Sequence, residues 1–133
     1  MPHIHKVLFV GSKQLGLNCL EAMHQLSPKT LVGAVTFNDS SDTRSKYTDF
    51  VKYCASNKIP LLTARNRKDS EAIIAAQKPD MCIVVGWYWL IGTHILKQVP
   101  HGLLGIHNSV LPKYRGSAPL VWGMINNENI VCI

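Results

Sequence analysis

Residues 81–89, Met-Cys-Ile-Val-Val-Gly-Trp-Tyr-Trp, constrain the fold of this chain more than any other stretch. Five apolar residues run together with no polar position between them. Successive side chains of a strand point to opposite sides, so this strand has two apolar faces. Both need cover, which places the strand inside a parallel sheet sandwiched between layers of helix.

The remaining sequence repeats the same grammar. "KVLFVG" (6–11) is a second short apolar run, closed by glycine, and "SKQLGLNCLEAMHQL" (12–26) follows with Leu17, Leu20, Met23 and Leu26 at helical spacing and Ser12 as its N-cap. "TLVGAVTF" (30–37) reads as a strand, "NDSSDTRS" (38–45) as a loop, "KYTDFVKYCASN" (46–57) as a helix and "KIPLLTA" (58–64) as an extended segment. A helix is expected over 68–78, starting near Asp69 or Ser70 and stopped by Pro79. A strand over 81–89, a helix over 93–99, a strand over 102–109 and a helix over 119–127 with Pro119 in its first turn complete the series. Strand and helix alternating at this spacing imply right-handed crossovers. The expected fold is α/β: one doubly wound, mostly parallel sheet with helices on both faces, in a single domain over 1–133. Ligands of such sheets lie outside the carboxyl ends of the strands, so the segments that follow strands at Gly11, Gly86 and His107 should converge on one cleft.

Charge narrows the partners. Fourteen Lys and Arg against eight Asp and Glu give a formal +6, which favours an anionic small molecule or nucleic acid. No apolar run approaches the ~20 residues that span a bilayer, so no membrane partner is expected. The opening "MPHIHKVLFVG" lacks the long apolar core of a secretion signal, and a cytoplasmic location is expected. Cys19, Cys54, Cys82 and Cys132 form no CxxC pair, and the His3-x-His5 pair sits at a chain end; no metal site is expected. Cys82, inside its apolar run, reads as a small buried hydrophobe.

Three stretches carry chemistry. "GSKQLG" (11–16) lacks the Lys-Ser/Thr pair of a P-loop and reads first as a tight strand-to-helix turn. "VVGWYWLIG" (84–92) sets three rings at a strand end, the material of a wall for a flat ligand. In "GIHNSVLPKYRG" (105–116), His107 leads into an amide, a hydroxyl and a Pro-bounded turn, a position suited to acid–base work or to polarising a carbonyl. Arg115 beside Gly116 is suited to holding phosphate or carboxylate.

Residues 105–128, "GIHNSVLPKYRGSAPLVWGMINNE", resemble the signature of the folate-dependent formyltransferases, a family that includes glycinamide ribonucleotide, methionyl-tRNA and sugar N-formyltransferases. "KVLFVGSKQLGLNCLEAM" and "PDMCIVVGWYWLI" look like that family's opening strand–turn–helix and its folate loop. The resemblance implies a Rossmann-like formyltransferase domain with 10-formyltetrahydrofolate as formyl donor. It implies His107 as the catalytic histidine. It further implies that Gly86, Trp87, Tyr88, Trp89, Leu90 and Ile91 hold the pterin, and that Asn108, Ser109, Lys113, Tyr114, Arg115 and Gly116 lie beside the acceptor.

Two departures from the family pattern stand out. Gly105 occupies the position where the family usually has Asn, and a lost oxyanion donor typically costs ~2.7–4 kcal/mol in the transition state. No Asp or Glu follows Glu128, so the family's catalytic Asp falls beyond the sequence, which reads as the amino-terminal part of a catalytic domain, incomplete at its C-terminus. "LPKYRG" and "DTRSKYTDF" look most like the sugar enzymes, so the expected acceptor is a nucleotide-linked amino sugar, with methionyl-tRNA as the alternative. A noncatalytic folate- or nucleotide-binding relic is a third reading. An unpaired sheet edge is expected to promote a homodimer.

Overall fold

The computed structural model describes residues 3–108 and 110–129. Five parallel strands run in the order β3-β2-β1-β4-β5: β1 is Val7–Gly11, β2 Leu31–Phe37, β3 Leu61–Ala64, β4 Met81–Val85 and β5 Leu103–Gly105. The helices between them are α1 (Lys13–Leu26), α2 (Tyr47–Ser56), α3 (Arg67–Gln77) and α4 (Thr93–Leu96), with α5 (Pro119–Ile125) after the last strand. This is the doubly wound parallel sheet expected from the sequence.

The side chains of β1 show why it occupies the centre. Leu8, Phe9 and Val10 are all wholly buried, yet they serve opposite faces. Phe9 packs with Leu17 and Leu20 of α1 and with Phe50 and Cys54 of α2; the Phe9 and Phe50 rings stack 5.9 Å apart. Leu8 and Val10 pack with Ile74 of α3, Cys82 of β4 and Ile95 of α4. Helices α1 and α2 therefore cover one face and α3 and α4 the other. The winding reverses between β1 and β4, the switch point where such sheets open a crevice at their carboxyl ends.

Several boundaries differ from the sequence reading, each for a local reason. β4 stops at Val85 rather than Trp89, because Gly86 turns to φ +67. β5 stops at Gly105 rather than at 109, which leaves His107 two residues beyond the strand. α4 ends at Leu96 rather than at 99. Helix α3 begins at Arg67 rather than near Asp69, since Asn66 is its cap and accepts from the Asp69 amide at 2.8 Å. Its other end follows expectation: Lys78 takes a left-handed conformation before Pro79. Ser12 holds the N-cap position of α1 with no side-chain cap bond, because its hydroxyl donates to the Gly86 carbonyl instead.

Candidate functional site

The Ser12–Gly86 contact divides the crevice at the switch point. The Ser12 amide also donates to the Val85 carbonyl at 3.1 Å, tying the β1–α1 turn to the end of β4. A Cβ on Gly86 would lie 2.5 Å from the Ser12 carbonyl oxygen, so only glycine admits this approach. The single cleft expected from the sequence is two clefts that meet at Gly86.

The cleft on the β5 side measures about 190 Å³ and is lined by Leu15, Val85, Gly86, Ile106, His107, Asn108 and Pro119. His107 is half-buried at its mouth, and its Nε2 lies 2.8 Å from the main-chain oxygen of Tyr114. A carbonyl only accepts, so Nε2 carries the proton and donates. Nδ1 is then the nitrogen left for other work.

The turn that supplies this carbonyl is itself unusual. Tyr114, Gly116 and Ala118 all have positive φ, at 56°, 115° and 51°. The Tyr114 hydroxyl donates to Glu128 Oε1 at 2.9 Å, and Lys113 Nζ reaches the same oxygen at 2.5 Å while lying 5.4 Å from the centre of the Tyr114 ring. Hydrogen bonds from Lys113 and Tyr114 hold the Glu128 carboxyl below its ordinary pKa, and the bond to Glu128 raises that of Lys113. Desolvation, followed by the Glu128 bond, raises that of Tyr114.

The cleft on the β2 side is larger, about 360 Å³. Phe37, Trp87, Tyr88 and Trp89 form its aromatic side; the Phe37 ring lies 5.4 Å from that of Trp87 and 5.0 Å from that of Trp89. Its polar side carries Lys13, Asp39, Asp42 and Arg44. Lys13 bonds Asp39 and lies 3.2 Å from Asp42, which Arg44 meets at 2.9 Å. Burial opposes the Asp39 charge, but hydrogen bonds from Lys13 and Ser45 outweigh it and keep the carboxyl below its ordinary pKa. Asp42 is also held low, first by its bond from Arg44. The two cations and two carboxylates balance, so this is a poised polar wall rather than a bare anion hole.

The formyl transferase family model matches residues 5–131. The chain belongs to the formyl transferase family. A methionyl-tRNA formyltransferase from Clostridioides difficile is 34% identical over 128 residues, covering 92% of this chain and 41% of that protein. The chain spans about two fifths of the length of the curated relatives it matches. Among solved structures, a glycinamide ribonucleotide transformylase from Symbiobacterium toebii superposes with TM-score 0.69 at 17% identity, covering 98% of this chain and 64% of that one. A sugar 3N-formyltransferase, solved in the presence of dTDP and 5-N-formyl-tetrahydrofolate, superposes with TM-score 0.62 at 18% identity, covering 96% of this chain and 43% of the other. At these identities the likeness is one of fold. The family takes its formyl group from 10-formyltetrahydrofolate.

Within this formyl transferase chain, the residues singled out in the sequence do not all meet. Gly86, His107 and Asn108 share the smaller cleft, while Trp87, Tyr88 and Trp89 line the larger one beside Gly86. Leu90 and Ile91 line neither: Leu90 is 80% exposed, and Ile91 packs against the core on the α3–α4 face with Trp87 and Trp89. Lys113 and Tyr114 are engaged with Glu128, and Arg115 and Gly116 are exposed. Ser109 lies outside the described residues. At Gly105 an added Cβ would sit 3.2 Å from the Val84 carbonyl oxygen, a tight position for a larger residue.

Sequence reasoning missed Lys13, Asp39, Asp42 and Arg44 as one group. Their signal was available: a polar loop rich in Asp and Arg directly after β2, at the carboxyl end of the sheet. It also missed Glu71 of α3. That carboxylate accepts from the Gly92 amide at 2.9 Å and lies 3.4 Å from His94 and 3.3 Å from Arg67, anchoring the far end of the aromatic loop.

Proposed function

We propose that this site transfers a formyl group from 10-formyltetrahydrofolate to the amino group of a nucleotide-linked amino sugar. The observation that carries the reading is His107, a half-buried imidazole in a mainly apolar cleft, one nitrogen committed and the other unassigned. The cleft beside it supports the acceptor class, since aromatic rings and two cations suit a base and a diphosphate. On this reading Trp87, Tyr88 and Trp89 serve the acceptor rather than the pterin, which the resemblance had implied.

The lining fits a reduced folate: glycine backbone at Gly86, apolar walls and few polar groups. When bound, the folate supplies an acyl carbon on nitrogen that an amine can attack. The protein does the rest. With Nε2–H given to Tyr114, the His107 ring presents Nδ1 as a base that takes the proton the amine sheds and can return it to the folate nitrogen as the bond from that nitrogen to the formyl carbon breaks. Polarising the formyl oxygen, the role implied by resemblance, falls to this ring only once Nδ1 is protonated. Asn108, which lines the same cleft, is the side-chain amide available to replace the donor that Gly105 lacks. Arg44, 78% exposed, is the cation best able to turn from its carboxylate toward a diphosphate.

A second reading, formylation of methionyl-tRNA, is favoured by the 34% identity to a methionyl-tRNA formyltransferase and by the +6 charge. The test offers the chain 10-formyltetrahydrofolate with dTDP- and UDP-linked amino sugars or with methionyl-tRNA, and reads the product by mass. A formylated nucleotide sugar supports the first reading, and formylation confined to tRNA overturns it in favour of the second. Binding of 5-formyltetrahydrofolate without any transfer would leave a noncatalytic binding module.

A further inference from the structure

We infer that Glu128 is the positioning residue for His107, acting through the Tyr114 side chain and carbonyl. The inference rests on His107 being the reacting group proposed above. In an imidazole that works on one nitrogen, the partner of the other fixes the tautomer and the ring plane. Here that partner is a main-chain oxygen, 2.8 Å from Nε2. A main-chain oxygen is only as well placed as the segment that carries it.

That segment is poorly placed by the regular fold. Tyr114 sits at φ 56°, a conformation that a bulky residue holds only where contacts enforce it. The enforcing contacts converge on one atom. Glu128 Oε1 accepts from the Tyr114 hydroxyl at 2.9 Å and meets Lys113 Nζ at 2.5 Å. Two adjacent residues of the turn are thus pinned by one carboxylate placed beyond α5, and the carbonyl of the pinned tyrosine faces the imidazole. The Glu128 amide donates to the Gly123 carbonyl at 3.0 Å, so α5 itself places the carboxylate.

The chain of contacts makes a directional claim. Removing the carboxylate frees Tyr114 and Lys113, the Tyr114 carbonyl loses its fixed position, and the His107 ring loses its enforced Nε2–H form. Glutamine at 128 keeps an acceptor oxygen for the tyrosine and should preserve the ring's state. A carboxylate that merely stabilises the turn would leave the imidazole unchanged whenever the chain remains folded.

The decisive readout is the tautomer of His107, from ring nitrogen chemical shifts in the full chain with labelled histidine, assigned through His107→Gln. A single Nε2–H form in the parent chain, a mixture in Glu128→Ala and restoration in Glu128→Gln support the inference. An unchanged tautomer in Glu128→Ala overturns it, as does a mixture in the parent chain. If Glu128→Ala fails to fold, Tyr114→Phe removes only the hydroxyl, and an unchanged ring there is equally fatal. With turnover as a second readout, kcat should fall about tenfold to hundredfold with KM for the donor little altered, as expected for misplacement of a working group. If the tautomer behaves as stated but the parent chain neither binds 5-formyltetrahydrofolate nor formylates an amine, the positioning stands and the formyl-transfer reading falls.

Discussion

His107 and Tyr114 are joined by a bond from a side chain to a main-chain carbonyl, the imidazole Nε2 lying 2.8 Å from the Tyr114 oxygen across seven residues of sequence. This bond decides which half of the ring is available. His107→Asn removes the Nδ1 base while keeping a polar side chain of modest size. Formyl transfer should fall by about 10²–10⁴, the usual weight of one positioned acid–base group, while affinity for 5-formyltetrahydrofolate changes little. Steady-state rates beside a fluorescence titration of Trp87 and Trp89 check both halves. A variant that retains full turnover would remove His107 from the mechanism.

Gly86 is the hinge between the two clefts, and its replacement should injure both. Gly86→Ala places a methyl 2.5 Å from the Ser12 carbonyl oxygen in a backbone at φ +67. The β1–α1 turn and the end of β4 must separate or the chain must bear strain of about 1–3 kcal/mol. The expected outcome is a lower urea midpoint at an unchanged slope, with the folate analogue bound more weakly. Equal stability and affinity would show that the Ser12–Gly86 approach is dispensable.

How far the sequence revealed these features follows from the range of each interaction. The strands were legible because burial on both faces demands unbroken apolar runs, as in Leu8–Val10 and Cys82–Val85. The helical period of α1 was legible at Leu17, Leu20 and Met23, which pack into one cluster. Ends were harder, since they depend on distant partners: Ser12 looks like a cap in sequence but is claimed by Gly86, 74 residues away. The site divides the same way. His107 and its turn were legible because they are contiguous. The Lys13–Asp39 and Gly92–Glu71 contacts span 26 and 21 residues; the polar loop after β2 marks where Asp39 lies, but nothing local announces which residue it pairs with.

Glu71 shows what such a pair contributes. Its carboxylate, with 12% of the side chain exposed, receives the Gly92 amide and sits beside Arg67 and His94, where the aromatic loop enters α4. Glu71→Ala leaves that amide without its acceptor and should cost about 1–3 kcal/mol. Glu71→Gln keeps an acceptor oxygen and should cost less. Thermal melts rank the two variants, and a shift in tryptophan emission in Glu71→Ala alone would report that the loop carrying Trp87 and Trp89 has moved. Equal melting of both variants would contradict this account.

The buried thiols give the fold a defined response to alkali. Desolvation raises the Cys54 thiol from an ordinary 9.0 to about 11 and the Cys82 thiol to about 12. Unfolded, both ionise above pH 9; folded, both stay protonated. Their contribution to stability is therefore complete below pH 9 and is lost as pH rises toward 11–12. Urea titrations across that interval should show falling stability, and Cys82→Ala should flatten the fall. A thiol-specific reagent at neutral pH should meet half-buried Cys19 well before Cys54 or Cys82. Rapid labelling of Cys82 in the folded chain would contradict its burial.

The edge of the sheet sets the last expectation. β5 pairs with β4 on one side, and among the described residues no strand lies on its other side. Leu104 is 58% exposed on this strand and Ile106 is 47% exposed just beyond it. Unpaired amides beside exposed apolar side chains are a template for another strand, and edges of this kind are normally blunted by charge or cover. The isolated chain should therefore self-associate with rising concentration, and Leu104→Lys should shift it toward monomer by setting a charge on the pairing strand. Light scattering over a concentration series measures both. A monodisperse monomer at every concentration would mean that three residues of strand are too short a template, however apolar their flanks.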